Sequence, residues 1–515
     1  MTLRLLRSAA IAVAVLLVWE AVGHVPVQGV RVFPPPSAIF WQYVADHDLY
    51  LEHIAATVHT AALGFVFGNA AAILAAIAFC RFPVLERVFH GVNVTLFAVP
   101  MIVVGPVLVL VLDGGLPQIV LSALAVYFPS MAATLVGLRD VDLRVVDVIR
   151  SYGGGETAVL RFARLRGALP SLLAGLKIAA SLSVLGAILG EFGSGERWGL
   201  GTFLLGSLGQ ANAARLWGIS LAATGIAMAG YGILALIERR MLGATIPVTL
   251  AASRLPDHLA RGSGLSLAAS VGLSLLAIAM PFLLWAAILW VTGLNPIIAP
   301  GPVDTFNYLF AGPEAADARA RLFDALASTL PMAFLGLLAG LIAAFVLAAL
   351  SVLVPTLTKA LMPAALMLQS TPLVALAPIV LLILGRDVAA SLTLAILVVF
   401  FPAFVLLAQG FALVPRAALE VVEAYGGSQL KRLVLVSIPY STRYLFAAAK
   451  LVAPRALLGV MVAEWLLTGT GLGNLLDISR ASLDYGIIWS GAVASVLVAV
   501  AAYQLVSILE RLTIR

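Results

Sequence analysis

Long apolar runs separated by short polar or basic stretches make up most of the chain. Nine runs hold no Asp, Glu, Lys or Arg: 54–80, 88–112, 114–138, 216–237, 263–292, 325–354, 360–385, 388–415 and 485–509. Each meets or exceeds the roughly 20 residues a helix needs to cross the hydrocarbon core. Backbone groups in lipid must be satisfied within their own segment, so the runs read as helices, and barrel strands would alternate polar and apolar over much shorter stretches. Three further spans carry charges: about 9–25 with Glu20, about 171–192 with Lys177 and Glu191, and about 444–468 with Lys450, Arg455 and Glu464. The pattern therefore predicts an all-α integral membrane protein of about twelve transmembrane helices. The first span follows Arg4 and Arg7, as the apolar part of a signal peptide would. No clear small-residue cleavage site follows it, so it reads as an uncleaved helix.

Composition narrows the class. Of 515 residues, 62% are apolar and 11% charged, against roughly half and roughly 25% in soluble domains. That excludes an ordinary cytoplasmic enzyme or a disordered chain. The net charge of +6 comes without a basic stripe of interleaved aromatics, which excludes a nucleic-acid binder. The single cysteine, Cys80, excludes an intrachain disulfide framework and any multi-thiolate zinc site. Basic residues favour cytoplasmic loops. With the N-terminus inside, only seven of the 31 fall outside: Arg31, Arg197, Arg215, Arg319, Arg321, Arg386 and Arg480. Both termini are expected in the cytoplasm.

The chain also repeats itself. At an offset of 272, Thr57, Gly64, Gly68, Pro100 and Pro106 meet Thr329, Gly336, Gly340, Pro372 and Pro378. At 273, Tyr152, Gly153, Gly154, Lys177 and Glu191 meet Tyr425, Gly426, Gly427, Lys450 and Glu464. At 272 again, Gly199, Gly201, Trp217, Tyr231 and Glu238 meet Gly471, Gly473, Trp489, Tyr503 and Glu510. Near the start the offset is 266, pairing Trp19, Pro34 and Pro36 with Trp285, Pro300 and Pro302. The domains are read as a first unit 1–240, a cytoplasmic linker 241–262 and a second unit 263–515. Six spans in each unit give both the same orientation, a parallel repeat about an axis along the membrane normal that encloses a central pathway.

In each half the fourth and fifth spans are joined by a long inner segment, one from Asp147 and the other from Glu420. Each predicts a short helix, a Gly pair, an amphipathic basic stretch (Arg161, Arg164 and Arg166; Lys431 and Arg432) and then a proline. Glycine accepts the backbone of a tight turn and proline ends the local helix, so each segment predicts a helix–turn–helix elbow against the inner membrane face. One such loop reads equally as a solvated loop obeying the positive-inside rule, whereas two at equivalent positions point to a docking surface for a paired partner. Within the membrane, Lys177, Glu191, Lys450 and Glu464, with Gln369 beside Ser370 and Thr371, are candidates for a pathway or gate. Charged residues buried in lipid tend to face protein or water, and snorkelling at helix ends is the equal alternative for the charged ones. His53, His59 and His90 lack metal-ligand spacing, and no catalytic constellation emerges.

An acidic residue, a glycine six positions later and a proline thirteen after that resemble the EAA loop of ABC importer permeases. Glu420, Gly426 and Pro439 fit this spacing. In the first half Asp147 replaces Glu, Gly153 fits, Arg166 stands where proline is expected, and Pro170 matches a second proline that many members carry. The second half has Arg443 at that later position, and neither loop has two alanines after its acid, having Val148–Ile149 and Val421–Val422. Trp19–Glu20, the Pro34–Pro36 run, His53…Thr57…Gly64-Phe65, Gly190-Glu191 and the Gly-Leu-Gly triplets at 199–201 and 471–473 look like the nitrate/sulfonate/taurine class.

The resemblance implies two permease units fused in one chain. Asp147, Gly153, Gly154, Pro170, Glu420, Gly426, Gly427 and Pro439 then form loops that couple to two ABC ATPase subunits. It also implies a periplasmic solute-binding protein as partner, a bacterial inner-membrane location, and ATP and Mg bound by the ATPases. This chain has no phosphate loop: none of Lys177, Lys359, Lys431 and Lys450 follows a glycine. The expected cargo is a small solute such as nitrate, a sulfonate or taurine. A fused permease for iron or thiamine is the alternative within the family, and an ion-coupled major-facilitator transporter is the alternative outside it. That last type needs a Gly- and Arg-rich loop between its second and third spans, which CRFPVLERVFHG and VPTLTKALMP do not supply.

Overall fold

The computed structural model describes residues 2–25, 33–192, 194–210, 212–243, 267–357 and 373–513, with the single positions 361, 362, 365 and 368. Among these residues there are helices and no strand. The first half runs α1 (Thr2–Gly23), α2 (Pro36–Ala45), α3 (His47–Arg81), α4 (Pro83–Ala98), α5 (Met101–Val111), α6 (Leu116–Arg139), α7 (Leu143–Ser151), α8 (Glu156–Val159), α9 (Leu169–Glu191), α10 (Leu200–Leu208) and α11 (Ala213–Leu242). The second runs α12 (Leu267–Thr292), α13 (Pro302–Phe310), α14 (Ala315–Leu353), α15 (Leu373–Leu384), α16 (Val388–Ala412), α17 (Arg416–Ala424), α18 (Gln429–Arg432), α19 (Ile438–Ala463), α20 (Gly471–Ala481) and α21 (Tyr485–Thr513).

Among the described residues, nine of the predicted spans are single helices long and apolar enough to cross a membrane: α3, α6, α9, α11, α12, α14, α16, α19 with its leading stretch, and α21. The span predicted at 88–112 departs from that pattern, because α4 and α5 meet at 101°. Pro100 explains the break: it has no N–H to donate and forces the residue before it out of helical geometry. Val99 accordingly sits at φ −57°, ψ 121°. The predicted first span is α1, apolar over Val13–Gly23. The predicted span 360–385 is described mainly over α15, and its Gln369 lies outside the described residues.

Small residues let the spans approach closely where lipid supplies no hydrophobic drive between helices. In the first half α3, α6 and α9 converge on Ser122. A Cβ on Gly64 would lie 2.3 Å from the Ser122 Cβ, and one on Gly186 2.6 Å from its Cα. In the second half α14, α16 and α19 converge in the same way on Ala395, with Gly336 and Gly459 in the matching places. The halves interlock through α4, α5 and α15: α4 lies on α12 and α21, α5 on α19, α20 and α21, and α15 on α9 and α11. One apolar cluster crosses the junction, joining Ile102 and Val103 to Val460 and Met461.

Candidate functional site

The two elbows project from one end of the bundle and share one turn geometry. In the first, Asp142 caps α7 by accepting from the Arg144 N–H at 2.9 Å. The helix ends where Gly153 takes φ +78°, and Gly426 takes +75° after α17. The Gly154 N–H donates to the Ile149 carbonyl and the Gly153 N–H to that of Arg150, both at 2.9 Å. Gly427 bonds Val422 at 2.8 Å and Gly426 bonds Glu423 at 2.9 Å in the same pattern, a paired-bond helix stop that needs a left-handed residue. The second glycine of each pair has no room to grow. A Cβ on Gly154 would come within 2.6 Å of Ile149, and one on Gly427 within 2.4 Å of Val422.

An ion pair ties the arms of each elbow, with its polarity reversed between halves. Arg150 reaches Glu156 at 2.6 Å, and Glu423 reaches Arg432 at 2.7 Å. The Arg150 hydrogen bond holds the Glu156 carboxyl below the usual carboxylate range. Asp147 and Glu420 are exposed and carry no hydrogen bond or ion pair among the described residues. Tyr152 and Tyr425, at the tips, are each 89% exposed. Pro170 and Pro439 are each the second residue of a span, α9 and α19. One π-helical turn precedes each of these spans, at Leu160–Arg164 and Leu433–Ser437.

At the other end of the bundle the glutamates of the fifth spans are buried in matching clasps. Thr57 Oγ1 donates to Glu191 Oε1 at 2.6 Å, the Gly201 N–H donates to Oε2 at 2.6 Å, and the Leu200 N–H donates to Thr57 Oγ1 at 2.8 Å. In the second half Thr329 bonds Glu464 Oε1 at 2.7 Å, the Gly473 N–H bonds Oε2 at 2.9 Å, and the Leu472 N–H bonds Thr329 at 2.9 Å. Each carboxylate thus takes up free N–H groups at the start of a short helix, α10 or α20, where negative charge is also favoured. The Gly-Leu-Gly triplets make the approach feasible: a Cβ on Gly199 would fall 2.5 Å from Glu191, and one on Gly471 2.1 Å from Glu464. His53 joins the first clasp, its Nδ1 accepting from the Gly199 N–H at 2.9 Å while its ring stacks on Phe203. His53, Thr57 and Thr329 are not among the site candidates that the sequence offers. The signal that marks the threonines is their repetition in both halves alongside the glutamates.

The membrane lysines are paired as well. Lys177 Nζ lies 2.5 Å from Glu238 on α11, and Lys450 Nζ lies 2.6 Å from Glu510 on α21. Replacing Lys450 by Met strands the Glu510 carboxylate, and a loss of about 1–3 kcal/mol is expected for this partly exposed pair. Adding Glu510→Leu recovers most of that loss, because removing both charges of a part-buried pair costs little. A double-mutant cycle of denaturation midpoints in detergent measures both effects.

These features define a duplicated membrane permease: two bodies of matching spans, each with a bent arm at one end. The model of the family described as binding-protein-dependent transport system inner membrane component matches residues 68–243 and again 336–515. The chain belongs to this family and carries its domain twice. It is an ABC transporter permease and not itself an enzyme. A probable ABC transporter permease of Haemophilus influenzae is 30% identical over 207 residues, which cover 40% of this chain and 84% of the relative. The riboflavin transport system permease protein RibX of Chloroflexus aurantiacus is 28% identical, covering 37% of this chain and 71% of its own length. A putative aliphatic sulfonates transport permease of Escherichia coli is 29% identical, covering 35% and 69%.

Proposed function

We propose that the chain forms the transmembrane part of an ATP-driven importer in a bacterial inner membrane. Units 1–240 and 263–515 form the two bodies of the pathway, joined by a linker over 241–262, with both termini in the cytoplasm. The elbow of α7 and α8 seats in one ATPase subunit and that of α17 and α18 in a second; ATP and Mg bind to those subunits. The observation that carries this reading is the twinned elbow. Two arms of the same bend each present an unpaired carboxylate, an exposed valine (Val148, Val421) and an 89% exposed tyrosine.

Closure of the ATPase pair on ATP draws the elbows together. The helices that follow them, α9 and α19, are continuous with the elbows, so the six-span bodies rock between inward- and outward-facing states. A binding protein that delivers solute favours the outward state, since only differential affinity for two states drives such a switch. Lys177, Lys450, Glu191 and Glu464 belong to the walls or ends of this pathway. The relatives are named for sulfonates, taurine, riboflavin and formylaminopyrimidine, and the cargo is a small solute of that range. The test is reconstitution of the chain in liposomes with its ATPase and binding protein. Solute accumulation that stops when Mg-ATP is withheld is the expected result, and accumulation without the ATPase rejects the reading.

A further inference from the structure

Of the five charges on the fifth spans, four come as twins with partners: Lys177 and Lys450 each pair with a glutamate, and Glu191 and Glu464 each sit in a clasp. The fifth, Arg455, has neither a twin nor a partner. Its repeat position in the first half is Leu182, and no hydrogen bond or ion pair reaches its guanidinium among the described residues. A bare guanidinium well inside the membrane is costly and calls for an occupant.

Helix position shows where it faces. On α19, Ala447, Leu451, Arg455 and Leu458 form a half-buried stripe, and Ala174, Ile178, Leu182 and Leu185 form its twin on α9. The other flanks of α19 are covered by α14, α16 and α21, and those of α9 by α3, α6 and α11. Leu185 and Leu458 pack on the apolar cluster that crosses the junction, so both stripes face the space between the halves. Arg455 stands one turn below that plug, on the elbow side. At ~1.5 Å per residue it is roughly 13 Å from Glu464 and 7–8 Å from Lys450 along the helix. Arg455 itself is half-buried, so part of its side chain remains accessible on the face that this stripe presents.

We infer that Arg455 is the pathway's contact for a sulfonate group of the cargo, gripped from the second half alone. This rests on the importer reading and narrows its cargo to solutes that carry a sulfonate. A guanidinium offers such oxyanions paired, charge-assisted hydrogen bonds, while the apolar Leu182 wall lets the solute leave.

The test uses the full chain with its ATPase and binding protein in proteoliposomes, with taurine, ethanesulfonate and riboflavin as labelled probes. The wild type is expected to accumulate at least one of the two sulfonates. Arg455→Leu, which restores the repeat's symmetry, is expected to lower the turnover of that uptake at least about tenfold. Its ATPase association should stay unchanged and its thermal midpoint should not fall, since an unpaired, half-buried charge is being removed. Arg455→Lys is expected to keep uptake within about threefold, because the charge remains. Full sulfonate uptake by Arg455→Leu overturns the inference, as does ATP-driven uptake of riboflavin alone or of neither sulfonate by the wild type. Failure of the wild type to associate with the ATPase takes down the importer reading instead.

Discussion

Replacing Glu464 by alanine is expected to lower stability by about 3–5 kcal/mol, and Glu191→Ala by a similar amount. Glu191→Ala orphans the Thr57 hydroxyl and the Gly201 N–H, and Glu464→Ala orphans the Gly473 N–H while Thr329 keeps the Ala325 carbonyl at 2.9 Å; each lost partner costs about 1–3 kcal/mol and each substitution leaves a cavity besides. Glutamine keeps the volume but not the chemistry. Its amide nitrogen would face either the Gly473 N–H or the Thr329 hydroxyl, so Glu464→Gln falls between wild type and alanine. Trp465 adjoins the clasp, and its fluorescence in a denaturant titration of the detergent-solubilised protein reads the midpoint. An unshifted midpoint in both alanine variants would show that the clasps hold nothing. Loss of a clasp also frees α10 or α20 from the end of its fifth span, and with it the anchor of that end of the bundle.

The second large effect is expected at the elbows. Gly153 and Gly426 stand at φ +78° and +75°, where a β-branched residue costs about 1–2 kcal/mol. The double variant Gly153→Val/Gly426→Val therefore favours elbows with the wrong bend. A penalty of that size at each of two docking points cuts the docked population by roughly 5–30-fold per elbow, and ATP-dependent uptake should fall at least that far. Gly155→Val is the control. Gly155 has φ −79° and nothing within 4 Å of an added Cβ, and its uptake should match wild type. Normal uptake and ATPase co-purification by the double variant would sink the coupling role of both turns.

How much of this was legible in the sequence depends on what kind of fact is asked for. Charge-free run length located seven of the nine single-helix spans outright, and the charged α9 and α19 were legible by length despite their lysines and glutamates, since lipid demands long helices whatever they pack against. The 101° bend was not read, although Pro100 was in view: a proline inside an apolar run marks either a kinked helix or a broken one, and only packing decides. The clasps escaped for a different reason. Thr57 and Glu191 are 134 residues apart, and helices that are apolar all round offer no polar stripe to say which faces meet. Yet the residues repeated in both halves proved to be the ones that touch. Thr57 meets Glu191, Lys177 meets Glu238, and Trp285 stacks on Trp489 at 5.2 Å. The elbows were the most legible part, because a turn set by neighbouring residues is written locally.

The lone Arg455 opposite Leu182 has an evolutionary corollary. A transporter assembled from two identical chains receives every mutation in duplicate, so an arginine gained near its axis arrives with a second positive charge to repel it. Tandem duplication within one gene lifts that constraint. Each wall can be selected separately, and a lopsided channel lining becomes an available solution.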